Sequence, residues 1–350
     1  MAFPLTFVVT YITVDSTRTG VGKYAKDLYM LLAPESQIIQ FIFNDRYLDN
    51  FYKQPYRGFK STVLNYIFSQ YAFKSGIDAI NNTSDIIHIT SQTMKPMFNN
   101  RKMVVTIHDI IPFNRNLAYT QIMEKLKDAY MRSYVRKYLT YDNIITVSNH
   151  VKNQIITQFN INEDKISVIS PYITDNFFPI PDKELLRKEL GLPENKKLIL
   201  SVSSNAPRKN LAMVKSVMGK LDNSYRLVRI GSQVGNSITF SGVDDTQINK
   251  IYNACDILLF PTLEEGFGYP VVEAFKTGLP VLSSDIDIIK EVSDGAAMLA
   301  NPMDILELTE GVYSILEKKE YYITRGYERA RYYYPENIRE KLLSYYKTIK

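Results

Sequence analysis

The sequence predicts an α/β protein with two Rossmann-like domains, whose parallel sheets face a central cleft. Strand-like apolar runs alternate with amphipathic helical patterns from one end of the chain to the other, which is typical of βαβ units. The length of 350 residues suits two domains of moderate size better than one. A segment interrupted by Pro171, Pro179 and Pro181 lies between the two series of strands and indicates a linker.

Composition narrows the class of protein. The hydrophobic share of 45% is ordinary for a globular core, and no apolar run approaches the ~20 residues that cross a bilayer. The start of the chain lacks a basic leader and predicts a buried strand, so we expect a cytoplasmic protein. The single cysteine, Cys255, excludes an internal disulfide and a thiolate metal cluster, and its largely apolar surroundings indicate an inert thiol.

The net charge of +5 is unevenly distributed along the chain. Residues 1–170 carry 19 Lys and Arg against 13 Asp and Glu, which gives +6, and the remainder carries 23 against 24, which gives −1. A basic N-terminal half would suit an acidic acceptor or an anionic membrane surface. Ordinary solvated surface explains this excess almost as well, so both interpretations stay open.

A glycine loop separates the first predicted strand from the first helix. Phe7–Ile12 predicts the strand, and an amphipathic pattern predicts a helix that ends near Leu32. Gly20, Gly22 and Lys23 lie at the start of that helix, where a glycine loop after a first strand can bind phosphate. The third glycine of the dinucleotide fingerprint is missing, and an isolated Gly-x-Gly is usually only a turn.

Two further strands of this half end in polar residues. Asp85–Thr90 and Met103–Ile107 predict the strands, and His108 and Asp109 follow the second of them. Polar residues at the carboxyl ends of parallel strands point into the cleft where ligands bind. A lone histidine is more often a structural hydrogen-bonding group, and for His88 the two roles are equally open.

Gln121–Tyr138 predicts a basic amphipathic helix. A solvated face, with Met, Leu and Tyr packed inward, explains this pattern, and binding to a membrane surface is the minority alternative. Ser148 is expected to cap the helix that follows it. The basic residues of the predicted helix Gln121–Tyr138 are Lys125, Lys127, Arg132, Arg136 and Lys137. The remaining strands predicted in this half are Ile38–Phe43, Asn143–Ser148 and Ile166–Ser170.

The second domain is predicted to begin with the strand Lys197–Ser203. Asn205, Arg208 and Lys209 follow its exit, at the start of a helix. A cation in that place, facing the cleft, can neutralise a leaving diphosphate without a metal ion, although a pair of surface cations is the plainer interpretation. The next predicted elements are the strands Tyr225–Gly231, Phe240–Val243 and Asp256–Phe260 and the helix Asp245–Cys255.

The stretch Glu264–Asp285 is the most restrictive motif in the chain. A Gly-rich loop precedes a short predicted helix, Val271 to about Lys276, and a Gly-Leu-Pro turn leads to the strand Val281–Ser283. Loop glycines let the backbone approach a ligand, and the N–H groups at a helix start face an anion. Glu265 and Glu273 lie eight residues apart, and a carboxylate accepts hydrogen bonds from paired sugar hydroxyls. The motif therefore suits a nucleotide-sugar, and a solvated pair of carboxylates beside a turn is the alternative.

The full run Glu-Gly-Phe-Gly-x-Pro-x-x-Glu-Ala-x-x-x-Gly-x-Pro-Val resembles the donor-binding signature of family 4 retaining glycosyltransferases of the GT-B fold, the group 1 glycosyl transferases. The resemblance implies that Glu265 contacts the transferred sugar and that Glu273 holds the ribose hydroxyls. It also implies that the Gly-Phe-Gly backbone lies along the sugar and the diphosphate.

The same resemblance extends to three other motifs. The first glycine loop is similar to the family's Gly-Ile-Gly-Arg-Tyr loop, which approaches the donor phosphates, with Lys23 in place of the arginine. His108 and Asp109 resemble the acceptor-side His-Asp pair. Lys209, with Arg208 beside it, stands where the family has its phosphate-binding cation. The catalytic residues implied are Glu265, Lys209, Arg208 and His108. The donor-binding residues implied are Gly20, Gly22, Lys23, Asn205, Gly266, Phe267, Gly268, Tyr269 and Glu273.

The resemblance also implies a domain organisation and a reaction. We expect an acceptor-side domain at residues 1–176, joined by a returning helix at 335–350, and a donor-binding domain at 177–334. The reaction would transfer a hexose, mannose or glucose, from a nucleoside-diphosphate sugar to a hydroxyl of a glycan, lipid or protein-linked acceptor with retention. We expect no metal or other cofactor, and Asp285 and Asp287, an Asp-x-Asp pair, are interpreted as part of an ordinary loop.

Two alternatives come from other classes. A nucleotide-sugar epimerase shares the fold but usually lacks this Glu-x7-Glu context, and a catalytically silent binding or scaffold protein would not need the intact signature. The expected partners are a nucleotide-sugar donor and a glycan or lipid-linked acceptor, without nucleic acid. A peripheral position at the inner membrane face is the alternative to a purely cytoplasmic one.

Overall fold

The computed structural model describes residues 9–13, 20–32, 36–40, 85–93, 102–114 and 122–349. The chain divides into two compact units. The first unit is Met1–Pro171 together with Ile338–Lys350, and the second is Tyr172–Asn337. Ile338–Lys350 is most of the segment predicted to return at 335–350, and residues 335–337 belong to the second unit.

The first unit is built on a six-stranded parallel sheet. Its strands are β1 (Val9–Thr13), β2 (Ser36–Gln40), β3 (Ile86–Ile89), β4 (Met103–Ile107), β5 (Ile144–Thr146) and β6 (Ile166–Val168). Their order across the sheet is β2-β1-β3-β4-β5-β6, and every neighbouring pair is parallel. The helices described in residues 20–32, 111–114 and 122–159 are α1 (Gly20–Leu32), α2 (Ile111–Asn114), α3 (Ile122–Tyr138) and α4 (Asn149–Phe159).

The second unit contains another six-stranded parallel sheet. Its strands are β7 (Lys197–Ser203), β8 (Tyr225–Gly231), β9 (Ile238–Phe240), β10 (Ile257–Phe260), β11 (Val281–Ser284) and β12 (Met298–Ala300), in the order β12-β11-β10-β7-β8-β9. The helices that follow α4 are α5 (Lys183–Glu189), α6 (Leu211–Met218), α7 (Asp245–Ala254), α8 (Tyr269–Thr277), α9 (Asp287–Ser293), α10 (Ile305–Glu317), α11 (Lys319–Ala330) and α12 (Pro335–Thr348).

The strands form because their apolar runs can be covered on both faces. In the second unit Ile199, Leu259 and Leu282 are at most 1% exposed, and they pack in one cluster with Val214 of α6 and Val312 of α10. Continuous apolar strands with helices on both faces are the usual form of a parallel sheet. This core holds the strand ends, where the candidate functional residues lie, in a fixed arrangement.

Most predicted boundaries agree with the structure, and one strand was misplaced. Lys197–Ser203 and Tyr225–Gly231 are strands over the predicted residues. The strand predicted at Phe240–Val243 is wrong, because β9 ends at Phe240 and Gly242 adopts a left-handed φ of 69° that does not fit a strand. The helix expected from Val271 begins earlier, at Tyr269. Part of the predicted strands Phe7–Ile12 and Ile38–Phe43 lies outside the described residues.

Ser148 caps α4, as its position in the sequence predicts. Its Oγ accepts a hydrogen bond from Val151 N at 3.2 Å, and its backbone is extended. On α3, Arg136 and Lys137 are exposed, while a role for this helix at a membrane stays a prediction. None of the helices described in residues 20–32, 111–114 and 122–349 combines the length and the apolar character needed to cross a membrane.

Candidate functional site

The loops that leave β7 and β10 are joined around Arg208. Leu263 N donates a hydrogen bond to Arg208 O at 2.7 Å, and Thr262 Oγ1 donates to the same oxygen at 3.1 Å. The short 3₁₀ turn Pro207–Lys209 ends at Asn210, which adopts a left-handed φ of 55° and donates from Nδ2 to Pro302 O at 2.8 Å. These bonds hold the predicted basic residues at the carboxyl edge of the second sheet.

Glu265 lies between the two predicted cations. Lys209 Nζ donates to Glu265 Oε1, and Arg208 NH1 donates to Oε2 at 3.1 Å and to Glu264 O at 2.9 Å. Thr262 Oγ1 lies 3.0 Å from Oε1. The Glu265 side chain is only 7% exposed, against 12% for Lys209 and 25% for Arg208. The structure therefore brings together three of the four residues predicted to be catalytic.

The charge of this cluster favours an anionic ligand. Arg208 and Lys209 carry two positive charges and Glu265 carries one negative charge, so the three side chains together have a charge of +1. Lys209 Nζ also lies 5.4 Å from the centre of the Phe260 ring, which limits how it can be solvated. Because the cluster is mostly buried, a phosphate that reached it would be held more strongly than in water.

The Gly-Phe-Gly segment forms the entry to α8. Gly268 has a φ of 98°, which strongly favours glycine, and a Cβ there would also lie in tight contact with Ile289 Cδ1 at 3.2 Å. Phe267 is 5% exposed, and its ring meets those of Tyr269 and Tyr333 at 5.3 and 5.4 Å. Val271 N donates to Gly268 O at 3.0 Å, which closes the first turn of the helix. The start of α8 therefore follows Glu265 closely in the sequence, and the Gly268 turn and the packing of Phe267 define its backbone course.

Glu273 has a partner that the sequence did not indicate. Tyr252 OH donates to Glu273 Oε2 at 2.8 Å, and the exposed fractions of these residues are 0% and 7%. Burial, and then the Glu273 carboxylate, raise the pKa of Tyr252 well above its ordinary value. Since Tyr252 lies on the buried side of α7, its position predicted burial, but no local signal identified the residue that it contacts.

In the first unit, His108 lies at the exit of β4 with its ring fixed. Its Nε2 donates to Thr90 O at 2.7 Å, and its backbone N donates to Gln92 Oε1 at 3.0 Å. Gln92 Nε2 donates to Asp109 O at 3.1 Å, and Gln92 is another residue that the sequence did not single out. The Tyr24 ring meets His108 edge-on at 4.8 Å. Asp109 Oδ1 accepts from the N–H of residue 111 at 3.2 Å.

The helix that carries the first glycine motif is therefore next to His108. Gly20 is the first residue of α1, Gly22 and Tyr24 are buried in it, and Lys23 is partly exposed. The Tyr24 ring joins this helix to the exit of β4. The loop that precedes Gly20 lies outside the described residues.

His88 has a structural environment. It is 0% exposed, with Nδ1 2.6 Å from Tyr346 OH and Nε2 2.7 Å from Thr106 Oγ1. Tyr346 OH also donates to Tyr11 OH at 3.2 Å, so α12 is attached to the first sheet through this network. Burial, with the charge of His108 as a smaller cause, lowers the pKa of His88 to about 3. Of the two roles left open for His88, these contacts favour the structural one.

The other predicted residues have plain surroundings. Asn205 is exposed at the exit of β7. Asp285 forms an ion pair with Lys290 at 2.7 Å, and Asp287 is the first residue of α9. Cys255 is buried, and burial raises the pKa of its thiol. Within the described parts of the chain, no group of three His, Cys, Asp or Glu side chains is placed to hold a metal ion, and independence of metal stays a prediction.

The two parallel sheets define the class of protein, which is the GT-B fold of glycosyltransferases. A sucrose-phosphate synthase from Thermosynechococcus elongatus has a similar structure over 97% of this chain and 98% of its own, with a TM-score of 0.79 and 16% identity. Anabaena HepE in complex with UDP-glucose is similar over 97% of this chain and 98% of its own, with a TM-score of 0.75 and 14% identity. Because the sequence identities are only 16% and 14%, these similarities show a shared fold and nothing further.

Sequence models then give the family. The model of the glycosyl transferases group 1 matches residues 182–331, and that of glycosyltransferase family 4 matches residues 32–176. The protein belongs to the group 1 glycosyl transferases. An O-antigen chain mannosyltransferase from Salmonella typhimurium is 27% identical over 233 residues, 59% of this chain. The alignment spans 63% of that relative's length.

Proposed function

We propose that the protein transfers a hexose from a nucleoside-diphosphate sugar to a hydroxyl group and retains the anomeric configuration. The observation that carries the proposal is the contact of Arg208 and Lys209 with Glu265 at the carboxyl edge of the second sheet. The cluster combines two cations suited to a diphosphate with a carboxylate suited to a sugar. The family match supports the same reaction class.

The two cations would change partner when the donor binds. In the structure they contact Glu265, and a diphosphate carries more negative charge than that carboxylate. The phosphate oxygens would take over the hydrogen bonds of Lys209 and Arg208, and Glu265 would become available to the sugar. Donor binding would thus prepare both the leaving group and the carboxylate beside the reacting carbon.

The chemical step would depend on stabilising the departing diphosphate. The bond between the anomeric carbon and the phosphate oxygen breaks, and its electron pair stays with the diphosphate. Lys209 and Arg208, fixed before the reaction, would stabilise that charge, which is the part a metal ion plays elsewhere. The acceptor oxygen bonds to the carbon on the same face and gives its proton to the departing phosphate oxygen, so the atoms and charges balance.

We propose that Glu273 contributes to donor binding and that His108 contributes to acceptor binding. The buried carboxylate of Glu273 would accept hydrogen bonds from the ribose. One of its oxygens, Oε2, also accepts a hydrogen bond from Tyr252 OH. His108, whose ring is held by Thr90 and packs against Tyr24, would face the acceptor hydroxyl. Both roles follow the resemblance, and the rigid surroundings of both side chains support them.

The sugar is proposed to be mannose and the acceptor a glycan. The similar Salmonella protein is named an O-antigen chain mannosyltransferase, and this name supports mannose over glucose. We further propose that the reaction needs no divalent metal, since the two cations can supply the positive charge that the diphosphate requires.

A thermal-shift panel of the purified protein tests the donor. UDP, GDP, ADP and dTDP are compared with and without EDTA, and a ligand at ~100 times its dissociation constant adds roughly 2.7 kcal/mol of stability. We expect one diphosphate to raise the melting temperature strongly and EDTA to leave that shift unchanged. If no diphosphate shifts the melting temperature, the donor site is not functional.

Radiolabelled transfer to glycan acceptors tests the reaction. Glu265→Ala and Lys209→Ala should abolish transfer and leave the fold intact, whereas the exposed controls Glu310→Ala and Lys215→Ala should transfer normally. Near-normal turnover in either site variant would overturn the assignment. Formation of a sugar product without any acceptor would identify an epimerase instead.

A further inference from the structure

Arg229 is a buried cation surrounded by neutral oxygens. It lies in β8 and is 0% exposed. Its guanidinium donates to the backbone oxygens of Ser201, Ser203 and Ser232 at 3.2, 2.9 and 3.2 Å. It also donates to the hydroxyl oxygens of Ser201 and Ser203 at 3.0 and 3.1 Å. Every nitrogen of the group is therefore bonded, and every acceptor is uncharged.

Another buried arginine of the same unit is neutralised. Arg187 is 7% exposed, and its NH2 donates to Asp256 Oδ2 at 2.7 Å. Across residues 172–337, all of which the structure describes, Arg229 has no carboxylate within ion-pair distance. Burial lowers the pKa of Arg229 to about 10, so the group is still charged at neutral pH. A buried charge of this kind is costly unless something else compensates it.

The position of this charge indicates what could compensate it. Ser203 is the last residue of β7, and Ser232 directly follows β8, so Arg229 joins the exits of two neighbouring strands. Gly231 pairs with Ser203, and a Cβ on it would lie 3.0 Å from Arg229 NH2. Beyond Ser203 the chain enters the turn Pro207–Lys209, so the charge stands at the edge of the sheet that carries the diphosphate-binding cations.

We propose that Arg229 is a positioning residue of the donor site, whose fixed positive charge favours the diphosphate without touching it. The inference rests on the proposed function, because that function supplies the diphosphate on which the charge of Arg229 would act. A charge enclosed by protein is screened by salt much less than a surface charge, and it needs no reorganisation when the ligand arrives. Its hydrogen bonds to Ser203 also fix the start of the loop that presents Arg208 and Lys209.

Calorimetric binding of two ligand series separates this role from a merely structural one. The series are uridine, UMP and UDP, and guanosine, GMP and GDP, measured on the wild type, Arg229→Met and Arg229→Lys. For the series that the wild type binds, Arg229→Met should leave nucleoside affinity unchanged, weaken the monophosphate, and weaken the diphosphate by about tenfold, the size expected of one preorganised charge. Arg229→Lys can keep a positive charge but loses most of the guanidinium hydrogen bonds, so its diphosphate affinity should fall less than that of Arg229→Met.

Arg187→Met is the matched control. It removes a buried guanidinium that contacts Asp256 at the start of β10, and it should lower the melting temperature without a loss that grows with phosphate number. Equal weakening of nucleoside and diphosphate in Arg229→Met would overturn the inference. If Arg229→Met does not fold, Arg229→Gln takes its place, and equal weakening of nucleoside and diphosphate in that variant would overturn the inference instead. A wild type that binds neither of these diphosphates, nor ADP or dTDP, would overturn the donor site and this inference together.

Discussion

Tyr252 donates a hydrogen bond to Glu273 Oε2 over 2.8 Å, and neither side chain is more than 7% exposed. The bond fixes the carboxylate before any ligand is bound. A buried carboxylate with one oxygen held by a phenol has fewer orientations to lose when it accepts hydrogen bonds from a ribose. Tyr252 would therefore affect how strongly the ribose hydroxyls are recognised.

Tyr252→Phe should weaken the discrimination between a ribonucleoside diphosphate and its 2′,3′-dideoxy analogue by about tenfold, the effect of one hydrogen bond to a charged group. The affinity for the dideoxy analogue should change little, because that ligand has no hydroxyls for Glu273. Calorimetry with UDP, GDP and their dideoxy forms measures both quantities. Tyr225→Phe is the control, since Tyr225 lies at the start of β8. Unchanged discrimination in Tyr252→Phe would contradict the role given to this pair.

Glu265→Gln and Lys209→Met should have opposite effects on nucleotide binding. Glu265→Gln removes the carboxylate that both cations contact, so diphosphate affinity should be kept or raised while transfer falls by at least about 10³-fold. Lys209→Met should lower both the diphosphate affinity and the rate of transfer, because a phosphate-binding cation is lost. Binding by calorimetry and transfer by radiolabel separate the two effects. A parallel loss of affinity in both variants would mean that Glu265 and the cations act on the donor as one unit.

The sequence predicted the parallel sheets well because their strands are buried on both faces. Lys197–Ser203 and Tyr225–Gly231 are apolar runs that suit such strands. Phe240–Val243 failed because one left-handed glycine, Gly242, ends the strand earlier. The resemblance assigned Arg208, Lys209 and Glu265 to one donor site, but it did not predict the ion pairs that join them.

The residues that sequence reasoning missed are all defined by tertiary contacts. Tyr252 meets Glu273 across 21 positions, and Gln92 meets the backbone of His108 across 16. A tyrosine on an apolar helix face and a glutamine after a strand are common in any α/β protein. The charge of Arg229 within an apolar strand was visible in the sequence, but its neutral surroundings were not.

Ser148→Ala should lower the free energy of unfolding of the first unit by about 1 kcal/mol, because Val151 N would lose the acceptor that caps α4. Urea denaturation measures the change. Ser133→Ala on α3 is the control, since its hydroxyl only donates back to Tyr130 O and alanine suits a helix interior at least as well. A loss in Ser133→Ala as large as that in Ser148→Ala would show that capping is not the cause.

The buried His88 should make the protein less stable in acid. Its pKa is about 3 in the folded protein against an ordinary value of 6.5, so the unfolded chain binds more protons at every pH between these values. The stability that neutral His88 provides is therefore complete above pH 6.5 and is lost as pH falls towards 3, by roughly 3 kcal/mol between pH 7 and pH 4.

His88→Gln should start with lower stability at pH 7, and its curve of unfolding free energy against pH should approach that of the wild type as pH falls. Gln158→Ala, at an exposed position of α4 without a titratable group, is the control, and its curve should stay parallel to that of the wild type. Parallel curves for His88→Gln and the wild type would show that His88 is not held neutral by the network of Tyr346 and Thr106.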